Sequence, residues 1–130
     1  IDGRIINKRT ISTDTLYMVP RTELKQKMVD ATIYINSLTG TVLGAASIEA
    51  LASGCIVLTH ANTILNPDLP STLPTISVNE KTLESELARV LQMSNNELTE
   101  LIINGRKYVE TYHDTEIVIP KFIAAFDKYL

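Results

Sequence analysis

Asn36-Ser37-Leu38-Thr39-Gly40-Thr41-Val42-Leu43-Gly44-Ala45-Ala46-Ser47-Ile48-Glu49-Ala50-Leu51-Ala52-Ser53-Gly54-Cys55-Ile56-Val57-Leu58-Thr59 is the stretch whose reading decides the fold. It opens as a strand end, passes through a glycine-bearing polar loop, and becomes a helix of small residues over Leu43 to Ser53. Gly54 is then the helix stop, because glycine adopts the left-handed conformation that ends helices without a Cβ penalty. Cys55 to Thr59 carries no polar alternation, as expected of a strand covered on both faces. Glu49 is the single acid in this run, which stays neutral past His60 as far as Leu65. Helical spacing puts Gly44, Ile48, Leu51 and Ala52 on the inward stripe, with Glu49 about one residue step, roughly 100°, away on its flank. The acid is thereby placed to face a cleft without entering the core.

The flanking segments repeat the alternation of strand and helix. Arg4 to Ile6 reads as a short strand before a polar turn, and Thr15 to Val19 as a β-rich segment closed by Pro20. Arg21 to Asp30, with Leu24 and Met28 at helical spacing, predicts a short helix. Ala31 to Asn36 predicts a strand, and Ser37 to Thr41 its polar exit loop. Pro67 and Pro70 make Asn62 to Leu73 irregular, with a turn of helix near Asn62, and Thr75 to Val78 predicts another short strand. Glu80 to Gln92 places Leu83, Leu87, Val90 and Leu91 on one helical face. Ser94 and Glu97 have capping-box spacing, in which each side chain satisfies a free amide of the other. They open a helix to about Tyr112 that buries Leu98, Leu101, Ile102 and Val109. A last helix over Thr115 to Tyr129 is expected to turn Ile119, Phe122, Ile123 and Phe126 inward, with Pro120 forcing a later start or a kink.

Strands alternating with helices predict an α/β chain, a Rossmann-like three-layer α/β/α arrangement around a mostly parallel sheet. The two consecutive C-terminal helices are expected to cover a sheet edge or to lie across a neighbouring domain. The 130 residues fit one domain with a real core. The chain begins at Ile1 without a signal-like segment, so the expectation is one domain cut from a longer, two-domain protein. No apolar run is long enough to cross a bilayer. A net charge of -3 supplies no electrostatic footprint for nucleic acid. The basic groups at Arg4, Lys8 and Arg9, and at Arg21, Lys25 and Lys27, are interleaved with or flanked by Asp2, Glu23 and Asp30 and read as solvated faces. The single Cys55 excludes an internal disulfide and fits a reducing, cytoplasmic compartment.

In an open parallel sheet, ligands bind beyond the carboxyl ends of the strands, near helix N-termini. Ser37 to Gly44 is such a loop, with Gly44 in the first turn of the following helix, and free amides there suit a phosphate or another anion. Alternatives have less support. His60 and His113 read as structural and surface histidines, and Cys55 as inert packing. Ser47, His60 and Asp68 lack a nucleophile-elbow pattern, and no His/Cys cluster has metal-ligand spacing.

The pattern G-x-x-x-x-E-A-L-A-S-G-x-x-V-x-x-T, Gly44 to Thr59 here, resembles the nucleotide-sugar motif of GT-B-fold glycosyltransferases. The match is to the large retaining group called family 4, or glycosyl transferases group 1. Thr15 to Ser37 is similar to that family's preceding strand, helix and strand. Asn104 to Glu116 resembles its penultimate helix and the aromatic-rich break that follows it. The resemblance covers about residues 15 to 130 and implies the C-terminal, donor-binding half of such an enzyme. It implies that Glu49 grips the ribose hydroxyls, a task suited to a carboxylate that accepts two hydrogen bonds from a vicinal diol. The backbone amides of Val42, Leu43 and Gly44 would approach the donor sugar and diphosphate, and Thr41 stands where the family carries a second acid. Ile56 replaces the family's usual proline. The opening βα units are missing: Gly3-Arg4 with Lys8 and Arg9 is similar to their glycine and basic pair, but too few residues follow before Thr15.

The implied partners are a nucleotide-sugar donor, an acceptor of unknown class (glycan, lipid or protein) and the protein's own N-terminal domain. No cofactor and no protein-bound catalytic metal are expected, and the isolated chain is expected not to turn over. The other reading is a glycosyltransferase-like module without catalysis, used for assembly or recognition. A sugar-nucleotide epimerase on the same fold would need a catalytic acid and histidine that the sequence does not place.

Overall fold

The computed structural model of the chain describes residues 5–6, 9–40, 42–61 and 70–129. Among them a two-residue antiparallel pair, β1 (Ile5–Ile6) and β2 (Arg9–Thr10), precedes the main body. The body runs α1 (Arg21–Asp30), β3 (Ile33–Ile35), α2 (Ala45–Ala52), β4 (Ile56–Thr59), β5 (Ile76–Ser77), α3 (Leu83–Leu91), α4 (Asn95–Tyr112) and α5 (Thr115–Asp127). Strands β3, β4 and β5 form a small parallel sheet in that order, with Tyr34 beside Val57 and Leu58 beside Ile76. The chain is therefore a mixed α/β protein built on a parallel sheet. No helix among the described residues is long and apolar enough to cross a membrane.

The parity of β4 explains where the core sits. All four of its residues are buried, and so is Cys55 before it. Cys55 and Val57 join Met28 of α1, Ala50 and Leu51 of α2 and Tyr108 of α4 in one apolar cluster. Ile56 and Leu58 join Val78 and Val90 in a second cluster, against Leu83 and Leu87 of α3. Side chains alternate across a strand, so the two clusters lie on opposite faces of the sheet, and helices cover both. Helix α4 serves each cluster in turn: Leu98, Leu101 and Ile102 near its start pack on the second, and Tyr108, Val109 and Tyr112 near its end on the first.

Close packing of α2 on α4 depends on Gly105. A Cβ there would come within 2.8 Å of the Leu51 side chain, so the glycine lets the two helices approach. Gly54, at φ +89°, makes the reversal from α2 into β4, as the stop reading requires. The capping box is present in full: Ser94 accepts from the Glu97 amide, and Glu97 accepts from the Ser94 amide.

Five expectations need correction. Thr15 to Val19 is not a strand; it is irregular, with Met18 at φ +48°. It has no sheet partner among the described residues, and β-branched composition alone does not make a strand without one. Helix α2 begins at Ala45, so Gly44 is its N-cap and not part of its first turn. The buried face of α2 is Ser47, Ala50 and Leu51, while Gly44 is exposed and Ile48 and Ala52 are half-buried. In α5 no residue is buried: Ile119, Ile123, Phe122 at 61% and Phe126 at 64% exposure all face outward. Helix α5 also begins at Thr115, capped by Asp114, and continues through Pro120, so the proline does not delay its start. The expected turn near Asn62 lies outside the described residues.

Candidate functional site

The carboxyl ends of β3 and β4 are tied to each other by main-chain and side-chain bonds. The Asn36 amide donates to the Leu58 carbonyl at 3.0 Å, and the His60 amide donates to the Ser37 carbonyl at 2.8 Å. The Thr59 hydroxyl donates to the same Ser37 carbonyl at 3.1 Å. The half-buried His60 ring bonds through Nδ1 to the Gly40 carbonyl, which makes it a structural histidine that folds the loop back on the sheet. A Cβ at Gly40 would meet the His60 carbonyl oxygen at 3.4 Å, an ordinary contact. Below the loop, Asn36 Nδ2 donates to Ser47 Oγ at 2.8 Å, a bond that satisfies the fully buried Ser47 hydroxyl. These contacts fix the loop relative to the first turn of α2.

That first turn is open. Gly44 caps α2 with extended backbone and no side-chain cap, so among the described residues no side chain satisfies its first amides. A Cβ at Gly44 would meet nothing within 4 Å, which leaves space in front of the helix. Val42 is exposed, whereas the Leu43 side chain packs against the first core cluster and leaves only its backbone for a ligand. Thr41 lies outside the described residues.

Glu49 sits on the flank of α2, half-buried, as its helical position requires. Its Oε1 accepts from Arg21 Nη2 at 2.6 Å, joining α2 to the first residue of α1. The Arg21 side chain is 81% exposed and the Glu49 side chain 38%. A pair this open is worth between about 0 and 1 kcal/mol, so a ligand can displace the arginine at small cost. Burial, then Cys55, then the Glu49 carboxylate raise the Tyr34 hydroxyl above its ordinary range and keep it protonated.

Sequence spacing did not bring Arg21 to Glu49. The two are 28 residues apart, and only the packing of α1 beside α2 on one sheet face unites them. The Asn36–Ser47 bond was equally hidden, since neither residue type in isolation signals a partner. The reading of Cys55 holds. Cys55 is buried, its thiol donates to the Met28 carbonyl at 3.0 Å, and burial pushes it up to about 11, so it is inert packing. No group of three or more His, Cys, Asp or Glu residues among those described is placed to hold a metal ion. His113 is not a surface residue: it caps α4, half-buried, with its ring 5.2 Å from that of Tyr108.

Comparison of the chain with protein families, with curated proteins and with solved structures finds no significant match.

Proposed function

We propose that this chain is the donor-binding domain of a retaining GT-B-fold glycosyltransferase, with a Rossmann-like sheet of which β3, β4 and β5 are part. The observation that carries the reading is the arrangement at the carboxyl end of the sheet. An uncapped helix N-terminus follows β3 directly, with open space at Gly44 and an accessible carboxylate, Glu49, one turn further on. Uncapped amides and the helix dipole stabilise a diphosphate. A carboxylate one turn away suits the vicinal hydroxyls of a ribose. Thr41 would add a neutral hydrogen bond to the sugar where a second acid is usual. The acceptor and the rest of the cleft belong to a second, N-terminal domain, and the exposed apolar stripe of α5 is a surface suited to lie against it. The reaction is transfer of the sugar from a nucleoside diphosphate, with this chain holding the donor and supplying neither metal nor covalent nucleophile.

Calorimetric titration with uridine, guanosine and adenosine diphosphate sugars tests this reading. One of them is expected to bind the chain, and Glu49→Ala to weaken it at least about tenfold, the loss of charged hydrogen bonds to a diol. Equal binding by both proteins would refute the assignment of Glu49. A second reading, a module without catalysis used in assembly or recognition, is favoured by one contact. Arg21 already occupies one oxygen of Glu49. Absence of binding even after Arg21→Ala frees that oxygen would favour this second reading.

A further inference from the structure

A second cleft lies at the opposite, amino end of the sheet. It has a volume of about 540 Å³ and is lined on the strand side by Ile56 and Ile76, the first residues of β4 and β5. Leu73 and Pro74, in the approach to β5, line another side. The volume is in the range that small-molecule sites occupy, and the walls have the apolar character such sites share.

Helix α4 lines the remaining side with Asn104, Lys107, Tyr108 and Thr111. Spacings of three and four residues put these side chains on one helical face. Thr111 is satisfied internally, its hydroxyl donating to the Lys107 carbonyl at 2.7 Å. The other three differ. Among the described residues, the Lys107 ammonium forms no ion pair and no acid lines the cleft. The Asn104 amide has no side-chain partner there either. Tyr108 is 6% exposed, and its buried Oη meets no hydrogen-bond partner among the described residues. A buried hydroxyl without a partner is costly enough to be rare in native structures. Tyr112, stacked at a tilt on Tyr108 with ring centroids 5.2 Å apart, extends the aromatic surface.

We propose that this cleft binds a small aromatic carboxylate, whose ring lies among Leu73, Pro74 and the two tyrosines and whose carboxylate takes hydrogen bonds from Lys107 and Asn104. The choice of an anion follows from the lone ammonium among described lining residues that include no acid. The choice of an aromatic body follows from the apolar walls and the tyrosine pair. This site lies apart from the loop after β3 and does not depend on the donor-binding reading.

Phenylacetate is the probe, followed by amide chemical-shift titration of the whole chain. Saturable shifts are expected at Leu73, Thr75, Asn104 and Lys107, with none at Ser37 to Gly44. Phenylacetamide and the Lys107→Met variant should each weaken binding about threefold, the worth of one exposed charge. Two results would overturn the proposal: shifts that do not saturate or that fall elsewhere, or affinity unchanged by Lys107→Met.

Discussion

Helices α2 and α5 are both rich in apolar residues, yet one lies in the core and the other on the surface. Helix α2 buries Ser47, Ala50 and Leu51, whereas α5 buries nothing. The difference is in what precedes and follows each helix. Helix α2 is strung between two adjacent parallel strands, so short connections return it to the sheet face whatever its exact stripe. Helix α5 follows α4 with no strand between them, and no such geometry draws it inward. Periodicity reports that a helix has an apolar side, and the neighbouring strands decide whether that side finds the core.

The largest effect that can test this contrast is at Leu51. It is 1% exposed, so Leu51→Ala should cost about 3 kcal/mol by chemical denaturation, through lost burial and the cavity left behind. A cost below about 1 kcal/mol would mean that α2 is no better packed than α5. Between the two helices lies α4, whose start depends on Ser94. Ser94→Ala should cost about 1 kcal/mol, because it leaves the Glu97 amide unsatisfied. In the folded chain the bonds from Ser94 hold the Glu97 carboxyl below its ordinary range. A lowered carboxyl contributes stability above its unfolded-state pKa and loses it as pH falls through the folded one. The largest of these bonds comes from the Ser94 backbone amide, so Glu97→Ala should matter less at pH 3 than at pH 7.

A smaller, pH-dependent effect belongs to His113, at the junction of α4 and α5. Burial lowers its pKa below the ordinary 6.5, so the unfolded chain takes up the proton first as pH falls. Stability should decline as pH drops below about 6.5, and His113→Gln should remove that part of the decline. The smallest effect is expected in α5 itself. Phe122→Ser should change stability by less than about 0.5 kcal/mol, as for a surface position. A loss of 2 kcal/mol or more would show that the aromatic stripe is covered in solution.

Where local chemistry was sufficient, the sequence was legible. Gly54 needed a positive φ, Ser94 and Glu97 had capping-box spacing, and Cys55 to Thr59 lacked polar alternation, and each took its expected form. Glu49 stands on the flank of its helix as spacing required. Two misreadings had a common physical origin, since each asked a local pattern to settle a tertiary question. Thr15 to Val19 has strand-like composition and no strand to pair with. Ile119 to Phe126 has helical periodicity and no core beside it. The Arg21–Glu49 pair and the Gly105–Leu51 approach join residues distant in sequence, so only the folded packing reveals them.

The central claim is that a sugar nucleotide binds at the carboxyl end of the sheet, through the open start of α2 and Glu49. Amide chemical-shift mapping of the full chain, titrated with whichever sugar nucleotide binds in calorimetry, tests it most directly. The account predicts saturable shifts across Ser37 to Glu49 that vanish in Glu49→Ala, while the Glu49→Ala spectrum keeps its native dispersion. Saturable shifts confined to other parts of the chain, or an unchanged titration of Glu49→Ala, would contradict it.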